Sequence, residues 1–262
     1  MPAAPVVFAG AGDIGVCGVD GAARTASLLD SIPGIVFTTG DNAYSSGTAE
    51  EFRDCYDPFW GRHKARTRPT PGNHDYQTPN AAAYFDYFGG NAGPWGLGYY
   101  SFTAGAWQVL SLNSNVPAGA GSAQLAWIHD QLTSQPTRCT AVLWHHPLFS
   151  SGPHGPNPHM REVWRTLMEF KADVVITGHD HIYERFTPLD EHGLPSADGI
   201  RSFVAGTGGA PPYAFGVIHP GSEARISALG ILKLTLRSES FDWEFVPADG
   251  MGFSDQGTQV CH

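Results

Sequence analysis

The chain has 262 residues, 42% of them hydrophobic and 15% charged, which excludes a disordered chain. A net charge of −10, with Lys64, Lys171 and Lys233 as the only lysines, excludes a broad basic surface for nucleic acid. No apolar run approaches the ~20 residues of a membrane-spanning helix, so neither a nucleic acid nor a membrane is an expected partner. Gly (32) and Pro (20) are abundant and imply short elements joined by many ordered loops. The length suits one sizeable core, so residues 1–262 are expected to form a single domain.

Taken along the chain, Val6–Ala9 reads as a first strand. Ala22–Ser31 has helical spacing, with Asp20 placed to cap it. Ile35–Thr39 is a second strand, and Thr48–Phe59 is helical, followed by a Pro-broken segment to Thr70. Asn80–Phe88 is a short helix. Tyr99–Thr103 and Trp107–Leu112 alternate like an antiparallel pair. Ser122–Leu132 is helical, Ala141–Trp144 a strand, His159–Phe170 a helix and Asp173–Thr177 a strand. Ser202–Ala205, Gly230–Leu236 and Phe241–Val246 are further strands. Alternating β and α units followed by β-rich segments indicate an α/β sandwich around mixed sheets.

Five polar clusters interrupt these elements: Gly12-Asp13-Ile14-Gly15, Gly40-Asp41-Asn42-Ala43-Tyr44, Gly72-Asn73-His74-Asp75, Val142-Leu143-Trp144-His145-His146 and Gly178-His179-Asp180-His181. All but the Gly72 cluster, which follows a Pro-rich loop, stand where an apolar strand stops. In α/β folds the carboxyl ends of strands converge on a crevice, so residues dispersed in sequence meet there. Each cluster alone is ordinary turn or capping chemistry; the five together are not. Asp13, Asp41, Tyr44, Asn73, His145, His179 and His181 offer carboxylates, a phenol, an amide oxygen and imidazoles. That donor set suits iron, manganese or zinc. One open metal site needs about three or four protein ligands, so seven suit two metals sharing a carboxylate.

With all five clusters in order, the chain resembles the calcineurin-like metallophosphoesterases and, within them, the purple acid phosphatases. Their pattern of GDxG, GDxxY, GNH, VxxH and GHxH is matched between Val6 and Arg185. Glycine at position 15, where many superfamily members carry a ligating His, together with Tyr44, is the purple-phosphatase arrangement. The resemblance implies a four-layer α/β/β/α sandwich with the site at one end of its sheets. It implies a ferric ion on Asp13, Tyr44 and His181, and a divalent metal (Fe, Zn or Mn) on Asn73, His145 and His179, with Asp41 bridging. The implied reaction is hydrolysis of small phosphomonoesters by a metal-bound hydroxide, with His74 and His154 as pocket residues. His74 would protonate the leaving group, and Asp75 beside it would orient the imidazole. His159 is a further pocket candidate, whereas Glu184 and Arg185 are expected to make structural contacts. A phosphodiesterase or nucleotide pyrophosphatase on the same metals is the alternative.

Gly10, Gly12 and Gly15 also fit G-x-G-x-x-G, but no helix is expected directly after them, as a dinucleotide fold requires. No G-x-S-x-G nucleophile motif occurs. Cys17, Cys55, Cys139 and Cys261 contain no CxxC pair, which argues against a zinc ribbon. Disulfides Cys17–Cys55 and Cys139–Cys261 are expected, and with them a secreted or periplasmic location. Residues 1–5 show no export signal, so either none exists or it has been removed.

Overall fold

The computed structural model describes residues 4–250 and 252–262. Residues 1–3, where the segment read for an export signal begins, lie outside the described residues. Strand β1 (Val6–Ala11) leads to helix α1 (Gly21–Asp30) and β2 (Ile35–Thr38). After α2 (Ala49–Glu51) the chain makes a π turn over Phe52–Tyr56 and a 3-10 segment before the two-residue β3 (Thr67–Arg68). Helix α3 (Ala82–Phe88), the hairpin β4 (Tyr100–Ala104) and β5 (Trp107–Ser111), and α4 (Ala123–Ser134) follow. Then come β6 (Cys139–Leu143), α5 (Arg161–Glu169), β7 (Val174–Thr177), β8 (Tyr183–Phe186) and β9 (Arg201–Ala205). The chain closes with β10 (Ser222–Ile226), β11 (Gly230–Leu236), β12 (Ser240–Pro247) and β13 (Asp255–Val260).

These strands form a six-stranded sheet, β13-β12-β11-β1-β2-β3, and a seven-stranded sheet, β10-β8-β9-β7-β6-β5-β4. Alternation along the central strands explains the layers. In β6, Ala141 and Leu143 join the core between the sheets, while Val142 faces outward under Ile128 of α4 and Trp164 of α5. Val174 and Ile176 of β7 do the same with Val175 between them. On the far side, α1 and the aromatic segment Phe52–Phe88 cover Ala9, Val36 and Ile231 of the first sheet. This is the expected four-layer α/β/β/α sandwich. β1, β2 and β3 run parallel, as do β5, β6, β7 and β9, so their carboxyl ends gather at one end of both sheets.

Local readings needed correction. Asp20 makes no side-chain cap to α1. The single helix expected over Thr48–Phe59 is a short α segment, closed by the reciprocal Thr48–Glu51 capping box, that passes into the π turn. Asn80 and Ala81 adopt left-handed conformations, so the helix there starts at Ala82. After Gly15 the chain does not enter a helix until Gly21, which disposes of the dinucleotide motif.

Both expected disulfides are present, Cys17–Cys55 and Cys139–Cys261, and the second ties the start of β6 in one sheet to the segment after β13 in the other. It closes a loop of 122 residues, for which loop-closure entropy sets an upper value of about 5 kcal/mol, while disulfides typically contribute roughly 2–4 kcal/mol. The Cys139→Ser/Cys261→Ser variant should therefore melt roughly 5–10 °C lower by calorimetry. An unchanged melting temperature would show that strand pairing alone holds β13.

Candidate metal centre

Backbone conformation first marks the site. Asp13, Asp41 and His179 all have positive φ (61°, 52° and 71°). For residues with a Cβ this costs on the order of 1 kcal/mol each, and it turns each side chain back over the strand end. The neighbouring glycines make room. A Cβ on Gly72 would lie 2.1 Å from Asp41 Oδ1, and one on Gly178 would lie 2.7 Å from Asp13 Oδ2.

Seven side chains from four strand ends and one loop then converge. Tyr44 Oη lies 2.8 Å from Asp13 Oδ1, 3.0 Å from Asp41 Oδ2 and 3.2 Å from His181 Nε2. His145 Nε2 lies 3.0 Å from Asn73 Oδ1, 3.2 Å from His179 Nδ1 and 3.2 Å from Asp41 Oδ2. Asp41 Oδ2 thus belongs to both groups. Asp13, Asp41, Tyr44, His145 and His181 are buried, whereas Asn73 and His179 are half-buried and face the opening.

Does this constellation fit two cations? The donor chemistry says it does. His145 Nδ1 is 2.8 Å from the Thr39 carbonyl and His181 Nδ1 is 3.0 Å from the Pro211 carbonyl. A carbonyl can only accept, so both Nδ1 atoms carry hydrogen, which leaves each Nε2, turned toward the carboxylates, as the atom that could ligate a cation. This is the tautomer lock that metal-ligating histidines require. Two overlapping groups of three that share His145, namely Asp13/Asp41/His145 and His145/His146/His179, each bring their ligand atoms within 4.8 Å of one another. Electrostatics point the same way. Burial and the adjacent Asp13 and Asp41 push the Tyr44 phenol well up, so phenolate forms there only against a strong cation. Burial pulls the His145 imidazole down, but Asp41 and Asp13 override it and raise it. Asp41 itself, though buried, is held low by His145 and His74. Burial and the other imidazoles lower His179, keeping a neutral lone pair.

The remaining predicted residues divide. His74 is half-buried at the mouth; its ring stands 4.4 Å from that of Tyr44, and Nε2 lies 3.8 Å from Asp41 Oδ2. Its Nδ1 bonds to the Ser45 carbonyl at 2.5 Å, so Ser45, not Asp75, orients the imidazole. Asp75 must be reassigned. It is fully buried and accepts from Gly72 N at 2.8 Å, Asn42 Nδ2 at 3.0 Å and Asn42 N at 3.2 Å, which clips two motif loops together. His154 stands exposed at the rim with its ring 4.5 Å from that of His179. His159 is exposed, and its Nε2 is taken by the Val116 carbonyl at 2.9 Å.

Sequence reasoning missed two residues here. Tyr213 stacks on His181 at 4.0 Å and 13°, and no local pattern around it announces this. His146 packs 4.5 Å from His179 and bonds Ser114 Oγ at 2.8 Å; its adjacency to His145 was the available signal.

Residues 6–183 match the family model described as calcineurin-like phosphoesterase. The chain is 29% identical over 211 residues to purple acid phosphatase 21 of Arabidopsis thaliana, covering 71% of this chain and 46% of that protein. It is 30% identical over 182 residues to an uncharacterized protein of Mycobacterium tuberculosis, covering 57% and 34% respectively. The chain thus spans half the length or less of these curated relatives. In three dimensions it is similar to purple acid phosphatase PPD1 of yellow lupin, with a TM-score of 0.84 at 18% identity over 98% of this chain and 54% of that one. GAP50, the anchor in the inner membrane complex of Plasmodium, gives 0.78 at 14% identity over 99% and 90%. At such identities the structures share the fold, and fold alone does not assign an activity.

Proposed function

Because the chain belongs to the calcineurin-like phosphoesterase family, we propose that it is a dinuclear metal-dependent phosphatase of the purple acid type, acting on small phosphomonoesters outside the cytoplasm as one catalytic domain. The observation that supports this most is the shared oxygen: Asp41 Oδ2 lies 3.0 Å from Tyr44 Oη and 3.2 Å from His145 Nε2. A carboxylate placed so can serve two cations at once. On this reading Asp13, Tyr44 and His181 would hold ferric iron, since a phenolate is a hard anionic donor. Asn73, His145 and His179 would hold a divalent iron, zinc or manganese ion, with Asp41 available to both.

When bound, the two cations supply a nucleophile from water near neutral pH and offset the charge of the phosphoryl group. The chain's own residues do the rest. The Thr39 and Pro211 carbonyls keep His145 and His181 in the ligating tautomer. Asp75 holds the Gly72 and Asn42 loops, and so the approach of Asn73 and His74. His74, with Nδ1–H on the Ser45 carbonyl, presents Nε2 to the mouth, where its proton passes to the departing ester oxygen. The exposed His154 meets the phosphoryl group from the rim above His179. Two disulfides in one chain favour an oxidising compartment, and no helix among the described residues is long and apolar enough to cross a membrane.

Assay of the metal-loaded protein on nitrophenyl phosphate and bis-nitrophenyl phosphate tests the reading. The monoester should turn over faster. Faster diester cleavage would assign a phosphodiesterase to the same centre, and cleavage of neither would remove phosphoester hydrolysis altogether. The iron assignment has its own check. Iron-loaded protein should absorb broadly in the visible through phenolate-to-iron charge transfer, and Tyr44→Phe should abolish that band with the far-ultraviolet circular dichroism unchanged. A band indifferent to Tyr44→Phe would leave the family standing and remove the purple assignment.

A further inference from the structure

Two fully buried carboxylates beside His179 and His181 take no part in the seven-residue cluster: Asp180 and Glu184. Burying a carboxylate is unfavourable unless hydrogen bonds replace its water. Here the replacement donors come from one loop. Ser150 Oγ donates to Asp180 Oδ2 at 2.5 Å, and the His154 amide donates to Asp180 Oδ1 at 3.0 Å. Ser151 gives Glu184 both its amide, at 2.8 Å, and its hydroxyl, at 2.5 Å. The Gly152 amide closes the turn on Ser150 Oγ at 2.9 Å. Gly152 is itself required for this approach, since a Cβ there would lie 2.2 Å from Asp180 Cγ.

The loop ends in His154. Among the described residues its exposed ring makes no hydrogen bond and lies near the rings of His179, at 4.5 Å, and Tyr213, at 5.5 Å, so its place over the cluster depends on where its backbone is held. The anchor and the cluster share a single tripeptide. Asp180 lies between His179 and His181, so any shift of the strand end moves cluster and loop together.

We propose that Asp180 is a positioning residue: its carboxylate fixes the His154 backbone so that the imidazole stands over the His179 end of the cluster and meets the phosphoryl group of the bound ester. The identity of that ligand rests on the phosphatase reading above; the clamp does not. Such a residue acts through ligand capture rather than through the chemical step, and a displacement of about 1 Å in a contact of this kind costs up to ~100-fold.

The test combines Asp180→Asn, His154→Ala and the double variant, with metal content measured for each. Asp180→Asn should raise KM for nitrophenyl phosphate about 10-fold, as loss of a charge-assisted hydrogen bond predicts, and change kcat far less. In the double variant it should add almost nothing to the effect of His154→Ala. Exchange of the His154 backbone amide, read by NMR, should accelerate in Asp180→Asn while that of Ile176 does not. Should Asp180→Asn fail to fold, Ser150→Ala removes the other arm of the clamp and should act in the same direction. Losses that multiply in the double variant, metal lost with Asp180→Asn, or an unchanged His154 amide would each overturn the proposal. If the wild-type protein cleaves no ester, the phosphatase reading falls, and amide exchange still decides the clamp.

Discussion

Asp41→Asn should release both metals together, a larger effect than any other single substitution in the cluster. Asparagine keeps the shape and one carbonyl oxygen, which can still accept from the His74 amide as Asp41 Oδ1 does at 2.8 Å. What it loses is the anionic Oδ2 between Tyr44 Oη and His145 Nε2, and an amide NH₂ there would point donors at two cations. Outer-shell substitutions alone cost metal sites ~10–100-fold in affinity, so loss of a shared inner ligand should exceed about 100-fold at both positions. Metal content after equilibrium dialysis should fall from two per chain to near zero, with turnover falling in parallel. His181→Ala and Asn73→Ala are the contrast, since each touches one group and should empty one position first. Retention of one metal at full occupancy in Asp41→Asn would show that Asp41 serves a single ion.

The second large effect concerns His74. A departing alkoxide is a strong base and needs a proton in the transition state, whereas a nitrophenolate leaves without one. General acid catalysis contributes ~10²–10⁴-fold where the leaving group requires it. His74→Ala should slow an alkyl phosphate by that factor and nitrophenyl phosphate by less than about 10-fold, with metal content retained. It should also flatten the alkaline limb of the alkyl-substrate rate profile. Ser45 has to be read alongside it, because its carbonyl, 2.5 Å from Nδ1, sets the ring and leaves Nε2 toward the mouth. Equal losses across a series of leaving groups, with KM raised for each, would make His74 a binding residue instead.

Much of this could be read from the chain because strand ends are written in local chemistry. Gly-Asp and Gly-His-x-His mark where a strand stops and a polar side chain turns back, Gly-Asn-His follows a Pro-rich loop, and the structure brings those residues within a few ångströms of one another. The four layers came from the family resemblance, because Ala141-Val142-Leu143 and Val174-Val175-Ile176 are apolar throughout and only the structure shows Val142 and Val175 facing the helices. What was illegible depended on distance in sequence. Asp75 follows His74 directly, yet successive residues point apart, and its carboxylate meets Asn42 from another loop. Tyr213 reaches His181 from a Pro-rich segment with no periodic signal. The polar edge strands β10 and β13 carry alternating exposed residues such as Glu223, Arg225, Gln256 and Thr258, so low β propensity concealed them. The π turn at Phe52–Tyr56 preserves helical composition, which periodicity cannot tell from an α-helix.

Metal content of the purified, active wild-type protein tests the central claim most directly. Elemental analysis against protein concentration, alongside the visible spectrum, should give two metals per chain, one of them iron, with the broad absorption of an iron–phenolate. Full activity with one metal per chain would contradict it.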